Sequence, residues 1–248
     1  MGDMKGRVAL VTAGSKGLGA EVVRQLARRG ADVAFTYKQD AAAAKMVVAQ
    51  VRKLGRRCLA LRADAGDFEK AHLAVAQAVR RLGGLHILVC NAGIARSAAL
   101  WKMKETDWDD VMAVTLKGAF NYLHAAAPIF MEQNYGKVVC VGSINGLRGR
   151  LGSLSYNVAK AGLTGLVKTA AAELGRYNVN VNLVAPGFIE SPSQANTPEL
   201  VRDLVLKECA LKRLGTPKDI AAVVVFLCLE AARHVTGQTV KVDAGQYL

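Results

Sequence analysis

The feature that most constrains the fold is a regular alternation of short apolar runs with longer amphipathic segments along all 248 residues. The runs are almost continuously apolar, which is typical of parallel strands buried on both faces of a sheet. They cover residues 7–12, 32–37, 57–61, 87–90, 137–142, 179–184 and 239–242. Helical periodicity covers residues 17–29, 41–54, 67–82, 107–134, 155–176 and 217–229. This α/β pattern predicts a parallel sheet with helices on both faces, joined by right-handed crossovers.

The domain organisation follows from the same pattern. Because no compositional break, repeat or low-complexity linker divides the sequence, we expect residues 1–248 to form one domain. The alternation of apolar runs and amphipathic segments is interrupted at about 188–213, where Pro, Ser, Asn and Thr residues precede one short helix. An insertion after the carboxyl end of a strand lies over the ligand crevice of such a sheet. The segment is therefore interpreted as a substrate lid, with a surface excursion as the alternative.

Composition argues against several classes of protein. Five cysteines without C-x-x-C spacing argue against a disulfide framework or a metal site and favour the reducing cytoplasm. No export signal is visible, and the longest apolar stretch, 220–229, is too short to span a membrane. The formal net charge of +13 comes from dispersed basic residues without interleaved aromatic residues, which disfavours nucleic-acid binding. A surface that attracts acidic ligands is the simpler interpretation.

The turn after the first apolar run carries the first functional signal. It reads Gly14, Ser15, Lys16, Gly17, Leu18 and Gly19, and it leads directly into a helix. Glycines allow a tight turn and close backbone approach, and the helix N-terminus offers free N–H groups to a phosphate. At the first strand–helix junction of an alternating chain, this turn predicts dinucleotide binding.

The end of the second run favours NADP(H) over NAD(H). A carboxylate there would bind the ribose 2′-hydroxyl of NAD, but Tyr37 and Lys38 occupy the position, and Lys16 supplies a second cation. Two solvated lysines without a ligand are the alternative. Further residues at strand ends suit an adenosine pocket, and Asp64 is placed to accept a hydrogen bond from the adenine amino group. This set comprises Asp64, Ala65, Asn91, Ala92 and Gly93.

The candidate catalytic residues are Ser143, Tyr156 and Lys160. Tyr156 and Lys160 are four residues apart and share one helix face, and Ser143 ends the fifth run. Reduction of a ketone requires a proton for the developing alkoxide, and a phenol of pKa ~10 is poorly matched to neutral pH. We expect the Lys160 ammonium and the charge of oxidised nicotinamide to lower the pKa of Tyr156, while Ser143 binds the substrate oxygen.

Together these motifs resemble the short-chain dehydrogenase/reductase family, and the resemblance extends to the carboxyl end of the chain. It implies a Rossmann-type doubly wound sheet of about seven strands in the order 3-2-1-4-5-6-7. It also implies that Lys160 binds the nicotinamide ribose, that Pro186 and Gly187 border the cofactor, and that the Ile189 backbone meets the carboxamide. The 3-oxoacyl-[acyl-carrier-protein] reductase branch is most similar, which implies fatty acid biosynthesis and a homotetramer with dimer-forming helices near 107–133 and 155–176.

Three residues depart from the family pattern. Ala13 replaces the first glycine of the turn, where its methyl group is expected to crowd the ribose side. Ala244 replaces a glycine after the last strand, which is expected to be a minor packing matter. Thr115 stands where the family carries the asparagine that positions a water behind the lysine. Threonine is shorter and lacks the amide, so we expect turnover that is reduced, but not abolished, relative to a Thr115→Asn variant.

The substrate is left open by the sequence. Arg148 and Arg150 lie near the expected substrate mouth and Lys212 and Arg213 follow the lid, so an acidic carrier is one hypothesis, either acyl carrier protein or the phosphates of coenzyme A. Surface charge without a partner is the other interpretation, and Asn134 at a position expected to carry a docking cation weakens the carrier assignment. A small or polycyclic ketone, a sugar or a quinone-like substrate is the enzymatic alternative. A cofactor-binding protein with weak or no turnover is the alternative of another class, supported by Thr115.

Overall fold

The computed structural model describes residues 2–190 and 197–248. Its strands are β1 (Val8–Val11), β2 (Asp32–Tyr37), β3 (Cys58–Arg62), β4 (Ile87–Cys90), β5 (Gly136–Val141), β6 (Val179–Pro186) and β7 (Thr239–Val242). They form one parallel sheet in the order β3-β2-β1-β4-β5-β6-β7. The predicted doubly wound, Rossmann-type sheet is confirmed. Its order reverses between β1 and β4, and the carboxyl ends of such neighbours flank a crevice.

The helices are α1 (Gly17–Arg28), α2 (Ala41–Lys53), α3 (Phe68–Leu82), α4 (Glu105–Val111), α5 (Gly118–Glu132), α6 (Asn145–Arg148), α7 (Leu154–Leu174), α8 (Glu199–Glu208) and α9 (Pro217–Leu227). Local sequence explains several of their starts. The Asp40 carboxylate accepts a hydrogen bond from the Ala43 amide at the start of α2, and Asp67 caps α3 in the same way. At the start of α9, Thr216 and Asp219 form a reciprocal capping box.

The core has two layers, one on each face of the sheet. Helices α3, α5 and α7 bury their apolar residues on one face, and α1, α2 and α9 cover the other. Neighbouring strand residues point to opposite layers, as Leu10 and Val11 do in β1. Burial on both faces is the reason that the strands are continuously apolar in sequence.

The segment predicted as one helix over residues 107–134 is divided, and this prediction is corrected. Helix α4 ends at Val111, a π-helical turn spans Met112–Lys117, and α5 follows from Gly118. Residues 112–117 contain no proline or glycine, so the sequence pattern did not reveal the division. Such turns often occur at functional sites, and this one contains Thr115.

The described residues also bear on membrane insertion, metal binding and disulfide formation. Within these, no helix is both long enough and apolar enough to cross a membrane. The same residues contain no group of three or more His, Cys, Asp or Glu side chains arranged to hold a metal ion. All five cysteines are free and buried.

Candidate active site

The turn between β1 and α1 is closely surrounded at two positions, where only glycine fits. A Cβ atom on Gly14 would lie 2.5 Å from the Cβ of Phe35, and one on Gly19 would lie 2.3 Å from the Ala13 carbonyl oxygen. Gly17 has a φ of 51°, a conformation that glycine adopts without strain. Lys16, which precedes α1, does not cap the first amide groups of the helix. These groups are therefore available to a phosphate.

Thr12 and Asn91 tie the end of β1 to the end of β4. The Thr12 hydroxyl accepts hydrogen bonds from the amides of Asn91 (2.9 Å) and Ala92 (2.8 Å). The Asn91 side chain donates in turn to the Thr12 carbonyl oxygen at 3.0 Å. Asn91 therefore fixes the wall of the crevice through contacts within the chain. Thr12 was missed by the sequence reasoning, although a hydroxyl at the last position of the first apolar run was a usable signal.

At the ends of β2 and β3, both predicted phosphate-binding lysines have carboxylate partners. Lys16 Nζ lies 2.5 Å from Asp40 Oδ2, and Lys38 Nζ lies 2.6 Å from Asp64 Oδ2. Burial raises the pKa of Asp64, but the hydrogen bonds from Lys38 and the Gly66 amide, together with the nearby positive charges, outweigh burial and leave that pKa below its usual value. The expectation that Asp64 accepts a hydrogen bond from an adenine amino group stays a prediction, because a carboxylate has acceptor positions beyond those that Lys38 and Gly66 use. It is the ion-pair partner of Lys38, and it also accepts a hydrogen bond from the Gly66 amide.

The three candidate catalytic residues meet at one wall of the crevice. Ser143 follows β5 and is buried, while Tyr156 and Lys160 lie in the first turns of α7. The Ser143 hydroxyl accepts a hydrogen bond from the Asn145 amide at 3.1 Å and lies close enough to the Tyr156 phenol to lower its pKa. Lys160 Nζ donates to the Val141 carbonyl oxygen at 2.6 Å and lies 5.7 Å from the centre of the Tyr156 ring. The predicted trio is therefore brought together by the fold.

The electrostatics of this trio differ from the expectation. Burial raises the pKa of Tyr156, and the hydrogen bond with Ser143 offsets this only in part. Burial also lowers the pKa of Lys160 to about 8. The expected lowering of the tyrosine pKa is thus absent from the protein alone, because the lysine is bound to a backbone carbonyl and desolvation is the larger effect. Two positive charges were expected to lower this pKa. Lys160 belongs to the chain, and the other charge belongs to oxidised nicotinamide.

Thr115 lies beside this group, in the π-helical turn, and is fully buried. Its hydroxyl accepts a hydrogen bond from the Ile94 amide at 3.2 Å and donates to the Ile94 carbonyl oxygen at 3.4 Å. A Cβ atom on Gly93 would lie 3.4 Å from Lys160 Nζ and 3.5 Å from Thr115 Oγ1. Thr115 is therefore close to the lysine, while its hydroxyl is bonded to the backbone after β4.

A cavity of about 1120 Å³ connects the glycine turn with the catalytic trio. This volume is slightly larger than the range of about 300–1,000 Å³ that is usual for small-molecule sites. The predicted residues that line it are Lys16, Gly17, Leu18, Gly19, Asn91, Gly93, Ser143, Tyr156, Lys160, Pro186, Gly187 and Ile189. Among the described residues, the predicted site residues outside this lining are Gly14, Ser15, Tyr37, Lys38, Asp64, Ala65, Ala92 and Thr115.

The sequence reasoning missed part of the lining at the substrate end of this cavity. The missed residues there include Ser97, Asn145, Leu151, Ser153 and Gln246, whereas Arg150 was predicted near the substrate mouth and Phe188 at the start of the lid. They come from loops that meet only in the folded chain, so no local motif marks them. The lining within the described residues includes the cations Lys16, Arg150 and Lys160 and no carboxylate. Such a cavity favours an anionic ligand.

Comparison with known proteins finds relatives that match nearly the whole chain. A family model described as Enoyl-(Acyl carrier protein) reductase matches residues 12–246. The crystal structure of a Serratia marcescens short-chain dehydrogenase/reductase variant is similar with a TM-score of 0.94 and 35% identity, and the match covers 98% of this chain and 99% of that one. The chain belongs to the short-chain dehydrogenase/reductase family.

Two further relatives within this family are informative. The 3-oxoacyl-[acyl-carrier-protein] reductase FabG of Staphylococcus aureus is 38% identical over 240 residues, which are 97% of this chain and 98% of the relative. A short-chain dehydrogenase of Burkholderia cenocepacia, solved in complex with NADP, has a TM-score of 0.93 and 33% identity. That match covers 98% of this chain and 99% of the other. The predicted closeness to the 3-oxoacyl-[acyl-carrier-protein] reductase branch is confirmed.

The two alanines that replace family glycines both have left-handed backbones. Ala13 has a φ of 52° and Ala244 a φ of 55°. An L-residue in this region is strained by close contact between its Cβ and the backbone. Ala244 was expected to be a minor packing matter, but its backbone conformation also matters. The glycine that the family carries at this position adopts a left-handed conformation without strain.

The basic residues proposed for an acidic carrier are mostly engaged within the chain. Arg148 Nη2 lies 2.9 Å from Glu208 Oε2, and Arg213 Nη1 lies 3.4 Å from Asp219 Oδ1. Arg148 therefore joins α6 to α8, so its expected role in attracting an acidic carrier stays a prediction for a cation that already has a carboxylate partner. Arg150 is exposed and lines the cavity. Residues 191–196 of the predicted lid lie outside the described residues, and the short helix expected after them is α8.

Proposed function

We propose that this chain is an NADP(H)-dependent oxidoreductase that reduces a carbonyl to a secondary alcohol, with a 3-oxoacyl thioester of acyl carrier protein or coenzyme A as its substrate. The observation that carries the proposal is the meeting of Ser143, Tyr156 and Lys160 in a cavity that begins at a glycine turn. The name of the S. aureus relative supports the substrate. The NADP complex of the B. cenocepacia relative supports the cofactor.

The residues of the cavity fit NADP(H). The glycine turn and the free amide groups of α1 would hold the pyrophosphate, and Lys16 and Lys38 would bind the 2′-phosphate. Lys160 would bind the nicotinamide ribose, and the backbone at Ile189 would meet the carboxamide. The absence of carboxylates from the described lining supports a ligand with several phosphate charges. When bound, NADPH supplies the hydride.

The chain's own groups supply the proton and hold the substrate. Ser143 and Tyr156 line the same part of the cavity and interact with each other, so both hydroxyls can reach one carbonyl oxygen. Tyr156, kept neutral by burial, donates its proton to the developing alkoxide, and Ser143 donates a hydrogen bond to the same oxygen. Lys160, with a pKa of about 8, is largely protonated at neutral pH and stabilises the phenolate left behind.

The remaining expectations form part of the proposal. Residues 1–248 form a single domain with a substrate lid at about 188–213, and the chain works in the cytoplasm. We propose a homotetramer whose dimer-forming faces are the helices near 107–133 and 155–176. Phe120, Met131 and Val158 are exposed apolar residues on these helices, and such a surface favours burial against a second copy.

The test measures the loss of NADPH absorbance with a panel of carbonyl compounds. We expect kcat/KM to be highest for 3-oxoacyl thioesters and lower for simple ketones, sugars and quinones. A Tyr156→Phe variant removes one oxygen, so we expect it to lose turnover by about a thousandfold while still binding NADPH. A preference for simple ketones would contradict the substrate. Full activity of Tyr156→Phe, or NADPH binding without oxidation by any carbonyl, would contradict the reaction.

A further inference from the structure

Gln246 lies at a point where four segments of the chain meet, although it is only two residues from the carboxyl end. It is 7% exposed and lines the substrate end of the cavity. Its backbone amide donates to the Asp243 carbonyl oxygen at 2.9 Å. Its backbone carbonyl accepts a hydrogen bond from Arg148 Nη1 at 3.3 Å. The backbone of Gln246 is thus held against the loop that follows β7 and against α6.

The side chain of Gln246 bridges two segments with its two different polar atoms. Oε1 accepts a hydrogen bond from the Phe188 amide at 2.9 Å. Nε2 donates to Glu208 Oε2 at 2.9 Å, and this carboxylate oxygen also lies 2.9 Å from Arg148 Nη2. The Phe188 amide can only donate and the Glu208 carboxylate can only accept. An amide side chain is therefore required, because leucine provides neither atom and glutamate provides no donor.

The two bridged segments border the cavity from different sides. Phe188 lies between Gly187 and Ile189, and all three line the cavity beside the catalytic trio. Glu208 is the last residue of α8, the helix that follows residues 191–196. The contact is close, since a Cβ atom on Gly187 would lie 2.8 Å from Gln246 Oε1. A shift of the Gln246 side chain would therefore disturb the backbone at residues 187–189.

We propose that Gln246 is a positioning residue that couples the seating of α8 to the backbone conformation of residues 187–189. With α8 in place, the Glu208 carboxylate holds Nε2, so that Oε1 points at the Phe188 amide and fixes this segment next to the nicotinamide end of the cavity. The effect on the cofactor rests on the proposed function. The coupling between α8 and Phe188 is a property of the chain itself.

The test uses a reversal of the hydrogen bond between residues 246 and 208. Gln246→Glu places a second carboxylate against Glu208 and removes the donor, so it breaks the bridge. Adding Glu208→Gln restores a donor–acceptor pair with the roles exchanged and the same net charge. Gln246→Leu removes both polar atoms. Asp203→Asn, which removes an exposed carboxylate from α8, is the matched control.

Three quantities are measured for the full-length protein: amide hydrogen exchange at Phe188 and in α8, the Kd of NADPH, and the Kd of 2′,5′-ADP, the adenosine half of the cofactor. For Gln246→Glu and Gln246→Leu we expect exchange and the NADPH Kd to rise about tenfold, as for the loss of one charged hydrogen bond. The Kd of 2′,5′-ADP stays unchanged because its site is at the other end of the cavity. The double variant restores wild-type values, and Asp203→Asn leaves them unchanged.

Several outcomes would overturn the coupling. These are unchanged exchange at Phe188 in both single variants, an equal loss of NADPH and 2′,5′-ADP binding, or a double variant no better than Gln246→Glu. A purely structural role would lower the Tm of both single Gln246 variants without separating the two nucleotides. If the wild-type protein binds neither nucleotide, the proposed function fails, and the exchange of Phe188 and α8 in the four variants still decides the coupling.

Discussion

The two ends of the cavity are held by different kinds of contact. At the glycine-turn end, the shape depends on backbone fit and on short bonds between neighbouring strand ends, such as the bonds between Thr12 and Asn91. At the substrate end, it depends on a few side chains that join segments distant in sequence, including Arg148, Glu208 and Gln246. We therefore expect charged residues at the glycine-turn end to determine which nucleotide binds. At the substrate end, we expect single side chains to determine the geometry of the cavity.

The largest effect is expected at Lys160, where the two ends meet. We expect Lys160→Met to lower turnover by about a thousandfold because the charge beside Tyr156 is lost. It should also raise the free energy of unfolding at pH 7. The shift of the pKa from 10.5 to about 8 by burial corresponds to about 3 kcal/mol, and the lost hydrogen bond to Val141 offsets about 1 kcal/mol.

Urea denaturation of both proteins at several pH values checks the sign of this effect. Because the lysine binds its proton less tightly in the folded than in the unfolded state, the wild-type protein should gain stability as the pH rises from about 8 towards 10.5. The variant lacks this gain, so the difference between the two proteins shrinks in that range. A variant that is less stable than wild type at pH 7 would show that burial of the charged Lys160 side chain does not destabilise the folded protein.

The next effect concerns ligand choice at the glycine-turn end. Lys38→Ala should raise the Kd of NADPH about tenfold and leave the Kd of NADH unchanged, since only the former has a 2′-phosphate. Lys45→Ala, an exposed lysine in the neighbouring helix α2, is the matched control. Fluorescence titration with both nucleotides measures the two constants. An equal change for NADH would assign Lys38 a role in folding through its ion pair with Asp64.

A smaller effect is expected at Thr115, where the proton supply behind Lys160 is at issue. The Thr115 hydroxyl accepts a hydrogen bond from the Ile94 amide and donates its one hydrogen to the Ile94 carbonyl oxygen. It therefore has no hydrogen left for a water beside the lysine. We expect Thr115→Asn to raise kcat by about threefold, because the longer amide can bind such a water. Thr115→Ser, which keeps the hydroxyl, should match wild type. If Thr115→Asn is no faster in steady-state kinetics, the relay interpretation is wrong.

The smallest effects compare the two ends directly through Ala13 and Ala244. Replacing either left-handed alanine by glycine should raise the free energy of unfolding by about 0.5 kcal/mol, since the relieved strain exceeds the added chain entropy. Urea denaturation measures both variants. Only Ala13 lines the cavity, so only Ala13→Gly should change nucleotide affinity. An identical effect of both variants on affinity would contradict the division between the two ends.

Much of the fold could be predicted because its pattern is local. Continuous burial produced the apolar runs, and strands such as Asp32–Tyr37 and Ile87–Cys90 lie where the pattern placed them. The division of the helix at Met112–Lys117 was not predicted, because the segment contains neither proline nor glycine before Gly118 to mark a break in the helix. The partners of Lys38 and Arg148 were also missed, because each pairs with a carboxylate more than twenty residues away.

The sequence by itself determined the parallel sheet, the glycine turn and the shared helix face of Tyr156 and Lys160, because these depend on side-chain periodicity and on spacing along the chain. Only the tertiary structure decided the direction of the pKa shifts at the catalytic residues and which residues line the substrate end of the cavity. Burial opposes ionisation at Tyr156 and Lys160, and burial is created by the whole fold. The bridge at Gln246 likewise exists only where loops from distant parts of the chain converge.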